Sequence, residues 1–324
     1  MIAIINVVFP IFAIILIGYM AGAKNIVPKA GVKTLANFVF YIALPALLFQ
    51  STATAPLESL LNWEFISINL GGILVNFFVA VIISKVIFKR SILSSSLYGM
   101  NASYGNTGYM GIPLLIAAFG HEAALPAAIA TLIHNLPIIT VVLIIGETIF
   151  VRDYKEKQSL WHTIFMTLKP VLKNPITISV LAGILVALSG ISLPPAISTL
   201  AELLANASGS TALFAIGLGF VGQFSLMKST GFNKAEIGLI VGLKLLFQPF
   251  ITYILMMYVF DVEALWAITS VIMSALPVGA GVYVFAQKYE KMMNQTLSAI
   301  LFSNLFSVIS LSLLLIYISH YFVY

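Results

Sequence analysis

The length of its apolar runs limits this chain more than any other feature. A helix crosses a bilayer with roughly 20 apolar residues at about 1.5 Å each. Ten stretches come near that length: 2–22, 34–54, 64–86, 92–119, 123–149, 175–190, 197–225, 236–259, 264–287 and 294–319. The sixth is short and is expected to reach into the Pro194-Pro195 turn. Charged residues make up 8% of the 324 positions, against 60% hydrophobic. That is too little charge to cover a soluble protein of this size. The fold class is therefore an all-α polytopic membrane protein. No basic segment precedes the first run, which reads as a retained span rather than a cleaved leader. The sequence holds no cysteine, so disulfides and thiolate-held metals are excluded.

The basic residues sort by loop. Lys24, Lys29 and Lys33 separate runs 1 and 2, and Lys85, Lys89 and Arg90 separate runs 3 and 4. Arg152, Lys155, Lys157, Lys169 and Lys173 lie between 5 and 6, Lys228 and Lys234 between 7 and 8, and Lys288 and Lys291 between 9 and 10. These are 15 of the 16 basic residues, all in alternate loops, while the other loops carry Glu58, Glu122, Glu202, Asp261 and Glu263. Cytoplasmic loops collect Lys and Arg. This pattern puts the basic loops in the cytoplasm, both termini outside, and the protein in the cytoplasmic membrane. It also explains the net charge of +5 without a nucleic-acid partner. The longest loop, 151–174, carries Leu160, Trp161, Ile164, Phe165 and Leu168 at helical spacing, as a surface amphipathic helix would.

The two halves repeat. Pro10, Gly18 and Pro28 match Pro175, Gly183 and Pro194, and Ala130-x4-Asn135-Leu136 matches Ala299-x4-Asn304-Leu305, at an offset of 165 to 169 residues. Five spans per half force the halves into opposite orientations, the inverted-repeat plan of many secondary transporters. The chain then divides into 1–150, a linker 151–174, and 175–324. Two runs in corresponding positions are interrupted. Run 4 contains GNTGYMGIP (105–113) and run 9 contains SALPVGAGVYVF (274–285). Proline and glycine break helices. Freed backbone groups in lipid would cost several kcal/mol each unless protein or water met them. Paired breaks predict helices 4 and 9 crossing at a midplane binding site. Pro113 and Pro277 suit the first turns of the new half-helices, whose N-termini carry partial positive charge. Asn101, Asn106, Thr107, Gly108, Val278 and Gly279 lie in or beside the breaks.

Lys244 is the sixteenth basic residue and sits inside run 8, in GLKLLFQPF. An intramembrane lysine is a functional candidate. No Asp or Glu is read as lying deep in any run, so half-helix carbonyls, amide side chains or substrate are the expected partners. The missing acid argues against a carboxylate-based sodium or proton site. His134 and Asn135 lie in run 5, Asn304 in run 10, and Asn69 and Asn76 in run 3. Asn135 and Asn304 gain weight from their repeat-related positions. His134 is a candidate proton shuttle, against the plainer reading of a neutral, hydrogen-bonded histidine.

NASYGNTGYMGIPL (101–114), KNPITISVLAGIL (173–185), LPALLF (44–49) and GLKLLFQPF (242–250) resemble the auxin efflux carrier family, whose bacterial members are often labelled malate or malonate permeases. The resemblance covers nearly the whole chain. It implies a ten-helix inverted-repeat fold shared with bile-acid-type sodium symporters and sodium/proton antiporters. Helices 1, 2, 6 and 7 would form a scaffold, with 3–5 and 8–10 a moving transport domain. It also implies a homodimer, substrate held beside the crossing, and a lysine standing in for a cation there. Asn106, Pro113, Pro277 and Lys244 are the positions carried over. The long cytoplasmic loop of many plant carriers is absent, and with it their phosphorylation control.

The expected function is elevator-like secondary transport of a small organic anion, with proton coupling possible and no cofactor or metal. The alternative within the class is a sodium- or proton-coupled carrier with a cation site at the crossing. An intramembrane enzyme would need an HExxH motif or paired intramembrane aspartates, and neither occurs. A membrane sensor or scaffold is the third reading, which saturable uptake would separate from transport. GLGFVG (217–222) could make a close helix contact within one chain or between two.

Overall fold

The computed structural model describes residues 2–28, 30–56, 62–154, 173–222, 233–259 and 262–321. The described residues are helical, and their one β-type contact is an isolated antiparallel bridge between Gly105 and Val278. The helices are α1 (Ile2–Ala23), α2 (Ala30–Ala53), α3 (Trp63–Val86), α4a (Ile92–Ser103), α4b (Thr107–Phe119), α5 (Ala124–Tyr154), α6 (Pro175–Ser189), α7a (Pro195–Asn206), α7b (Ser208–Gly219), α8 (Lys234–Tyr258), α9a (Ala264–Ser274), α9b (Gly281–Lys288) and α10 (Met293–Tyr321). Five of these segments are long and apolar enough to cross a membrane: Ala30–Ala53, Trp63–Val86, His121–Gly146, Lys234–Tyr258 and Met293–Ile318. Shorter apolar helices accompany them, among them Thr107–Phe119, Pro175–Ser189 and Ala264–Ser274. This is a polytopic membrane protein.

Polar residues punctuate the apolar text. Asn62, Ser91, Asn174 and Asn233 each precede a helix and accept a hydrogen bond from its first amides. Gly190 ends α6 in the left-handed conformation, at φ 67°. The sixth helix therefore stops at Ser189 and does not run into the Pro194-Pro195 turn. The seventh is split at Ala207, which the sequence did not lead us to expect. There the Ser208 hydroxyl takes the Ala205 carbonyl at 2.6 Å and competes with the helical ladder.

Among the described residues three π-helical turns occur, at Val39–Ala43, Thr107–Gly111 and Leu243–Phe247. Each is followed within two residues by a proline: Pro45, Pro113 and Pro249. A proline has no N–H and its ring clashes with the carbonyl four residues back, so widening the preceding turn relieves both. Proline is not sufficient, since Pro10 and Pro137 lie inside plain α-helix.

Close packing falls into two symmetric-looking pairs. α1 lies on α7b, and α6 lies on α2. A Cβ at Gly18 would sit 2.2 Å from the Phe214 carbonyl oxygen, and one at Gly183 would sit 2.7 Å from that of Phe49. Only glycine permits either approach. Gly217 of GLGFVG meets the Ile15 backbone in the same way, so the motif makes a contact within one chain. α3, α4a, α5, α8, α9a and α10 pack against one another as a second group. The amphipathic segment expected at 160–168 lies outside the described residues.

Candidate functional site

The two interrupted helices meet at their breaks. The Asn106 amide donates to the Pro277 carbonyl at 2.8 Å, and the Gly279 amide donates to that of Tyr104 at 3.0 Å. These bonds frame the Gly105–Val278 bridge. Val278 is fully buried, and its amide donates to Ser303 Oγ of α10 at 3.0 Å. A Cβ on Gly279 would lie 2.8 Å from the Gly105 oxygen, which explains the glycine. Backbone satisfied by other backbone is what lets a helix open at this depth.

Each first half-helix ends on a carbonyl held by a side chain from another helix. Asn76 Nδ2 of α3 donates to the Ala102 carbonyl at 2.6 Å and approaches Ser103 Oγ at 3.4 Å, closing α4a. Lys244 Nζ of α8 donates to the Ser274 carbonyl at 2.6 Å, closing α9a. Asn76 and Lys244 lie 168 residues apart, inside the offset of the sequence repeat. One end is held by an amide and the other by a lysine amine. Lys244 is 0% exposed, so its side chain does not reach out to a membrane surface. Its tip also lies behind the other break: a Cβ on Gly105 would be 3.5 Å from Nζ. The single lysine thus serves both interruptions.

The second half of helix 4 is less satisfied. The Asn106 carbonyl accepts from both Met110 and Gly111, at 3.1 Å each, as the π turn requires. The first amides, Thr107 to Tyr109, have no acceptor among the described residues. Thr107 is buried with Oγ1 unpartnered. The half-buried Asn106 side chain makes no hydrogen bond among the described residues. Gly108 faces α2 and α6, where a Cβ would lie 3.2 Å from Ile176 Cδ1 and 3.6 Å from the Phe40 ring. Beside it Tyr109 stacks on Phe40, with centroids 4.4 Å apart and an angle of 11°.

The other expected residues fall further out. Asn101 donates to Leu97 O and to Thr296 Oγ1 of α10, both at 2.9 Å, which ties α4a to α10. Asn304 turns back on its own helix, donating to Ile300 O at 2.7 Å. Asn135 is half-buried with Oδ1 unpartnered, on the helix that packs beside Thr107–Gly111. Pro113 starts the regular α-helix after the π turn, six residues past the half-helix start. Pro277 precedes Gly281, the first residue of α9b, and serves through its carbonyl. Pro113 thus sits in the first turn of the regular α-helix Ile112–Phe119, as the spacing suggested, whereas Pro277 lies before its half-helix and not in the first turn. His134 is buried and hydrogen-bonded, with Nε2 3.0 Å from Asn69 Oδ1, and Asn69 Nδ2 reaches Ser270 Oγ at 2.8 Å.

Sequence reasoning missed three participants. Gln248 lies one turn beyond Lys244, fully buried, with both amide atoms unpartnered. Its polarity in an apolar run ahead of Pro249 was the available signal. Phe40 carried no signal of its own. Glu236 is also fully buried, in the first turn of α8, where Arg90 pairs with it at 2.8 and 3.2 Å. It lies at the very start of its span rather than deep within it, and Arg90 already holds it.

Comparison with known proteins gives the family. A family model described as membrane transport protein matches residues 3–315. The chain belongs to that family, the auxin efflux carriers. Carriers of this family are membrane transporters, not a class of enzyme. A Rhizobium meliloti (strain 1021) relative named "Putative malonate transporter" is 28% identical over 310 residues, covering 96% of this chain and 94% of the relative. A relative in Escherichia coli (strain K12), named "Uncharacterized transporter YfdV", is 28% identical over 243 residues, 74% of each chain. A Mus musculus protein named "Lysosomal cholesterol signaling protein" is 28% identical over 295 residues, 86% of this carrier but only 33% of the mouse chain.

Proposed function

We propose that the protein is a secondary transporter of small organic anions, which bind at the break of helix 4. One observation carries this reading. Both carbonyl ends at the breaks are held by protein donors, Asn76 and Lys244, whereas the amides of Thr107 to Tyr109 stay open beside the unpartnered Asn106 side chain. Filled carbonyl ends offer little to a cation. Open helix N-termini attract anions, and Lys244 behind Gly105 adds charge that water does not screen. Carboxylate is the simplest ligand of this chemistry, and malonate is the first to try.

The architecture we infer is ten spans in two inverted repeats, dividing at the loop 151–174. The packing of α1 on α7b and of α6 on α2 supports it, because inversion exchanges those pairs. α1, α2, α6 and α7 would be the scaffold, and α3–α5 with α8–α10 the moving body. The proposed site adjoins the stack of Tyr109, on α4b of the moving body, against Phe40, on α2 of the scaffold, so an elevator-like movement would carry it past that face. The charge pattern puts both termini outside the cytoplasmic membrane.

Uptake of labelled malonate and of a monocarboxylate series into proteoliposomes tests the reading. Saturable uptake that Asn106→Ala reduces several-fold is expected. Saturable binding with no uptake would make the protein a sensor, and no saturable signal from any carboxylate would remove the anion site.

A further inference from the structure

A cavity lies outside the helix 4 break. It is a groove of about 1050 Å³ between α8 and α10, with Val271 of α9a and Ala275 just past its end in the wall. Its outer walls expose Leu246, Phe250, Ile309 and Leu313. At one end the Tyr253 and Tyr317 hydroxyls stand 3.2 Å apart and join the two helices. At the other end is Lys234, exposed and in no ion pair among the described residues. Between them Gly238 and Gly242 lie in the groove wall, and a Cβ on either meets no atom within 4 Å. Glycines four apart usually seat a neighbouring helix. Here they border open space instead. In the first half, the corresponding helices α3 and α5 are tied at mid-length by Asn69 and His134.

We propose that this groove binds one acyl chain of an anionic phospholipid, with its phosphate at Lys234. The dimensions fit. At 1.5 Å per residue Gly238 and Gly242 stand about 6 and 12 Å along the helix from Lys234. Half the hydrocarbon thickness is about 15 Å, so a chain anchored at Lys234 passes both glycines and ends near Leu246. The charge also fits. The positive-inside pattern puts Lys234 at the cytoplasmic face, where anionic lipid headgroups attract lysine. A second copy of the protein would have to meet this lysine and fill a trough between two helices. The bound chain would touch Leu245 and Ala275, the immediate neighbours of Lys244 and Ser274, from the side opposite the break. This inference does not depend on what is transported.

The test is native mass spectrometry of the purified full chain in mild detergent, after equilibration with phosphatidylglycerol or phosphatidylcholine. The wild type is expected to retain one phosphatidylglycerol, preferred over phosphatidylcholine on the order of fivefold. Lys234→Gln should keep the lipid and lose the preference. Gly242→Leu should lose the lipid while melting within a few degrees of wild type, and Gly238→Leu repeats the test should the first variant fold poorly. Equal retention by wild type and both filled variants would overturn the proposal. So would loss of a dimer in the filled variants, which would make a second copy the occupant, or no preference between the lipids in the wild type.

Discussion

The break in helix 4 and the break in helix 9 share a plan and differ in what they leave undone. Each first half ends on a carbonyl capped from α3 or α8, and each break gives an amide to the other. In helix 9 the amides of Val278 and Gly279 are both taken, by Ser303 and Tyr104. In helix 4 the amides of Thr107 to Tyr109 remain open and face α2 and α6 through Gly108. The Ala280 and Gly281 amides of helix 9 also lack an acceptor among the described residues, but no polar side chain on its break is left as open as Asn106 and Thr107, and in our proposal the helix 9 break is a brace and the helix 4 break a receptor. The charge follows the same division. Lys244 grips the brace by its carbonyl and faces the receptor across Gly105.

Four substitutions probe that contrast. Lys244→Ala removes a cap and the charge together. Anion affinity should fall on the order of 100-fold, as when one partner of a buried charged contact is truncated. Titration of malonate by calorimetry measures it. If affinity holds, the receptor does not use the lysine. Gly279→Ala comes next, because its Cβ would sit 2.8 Å from the Gly105 oxygen and from the Tyr104 ring. Overpacking of this kind costs about 1–3 kcal/mol, read as a lowered melting temperature in detergent. Asn76→Ala strips the neutral cap and leaves the Ala102 carbonyl orphaned, a loss of about 1–3 kcal/mol in stability. Anion affinity should change far less than in Lys244→Ala. Similar losses of affinity in the two variants would mean that capping, not charge, makes the receptor. Gly105→Ala should do least. Its Cβ meets nothing nearer than 3.5 Å, so stability within about 0.5 kcal/mol of wild type is expected.

Much of this was legible beforehand for a physical reason. Apolar length and alternating basic loops mark membrane helices, because lipid excludes polarity over a fixed thickness. The breaks announced themselves through Gly105, Gly108, Pro113, Pro277 and Gly279, since few residues can open a helix. Lys244 stood out as a cation in an apolar run, and the inference that a half-helix carbonyl would hold it matches the Ser274 contact. What the sequence hid depends on pairing between distant segments. Asn76 reads as ordinary interhelical glue until its partner is seen to be the end of α4a. The π turns at Val39–Ala43 and Leu243–Phe247 are signalled by Pro45 and Pro249, but Pro10 and Pro137 look the same in sequence and make none. The split of helix 7 falls beside a Ser208 hydroxyl bond of a kind that Ser96 and Ser179 make in unbroken helices, and the groove between α8 and α10 is a space, which no residue spells out.

In our proposal the helix 4 break binds an anion through its open amides and the charge of Lys244. Thermal unfolding of purified wild type beside Lys244→Gln, titrated with malonate and with sodium chloride, tests it most directly. Glutamine can still donate to Ser274 but carries no charge, and a ligand bound only to the folded state must raise its stability. We predict a malonate-dependent rise in melting temperature for the wild type, little or none for Lys244→Gln, and no response of either to sodium. Equal stabilisation of both proteins by malonate, or stabilisation by sodium alone, would contradict the account.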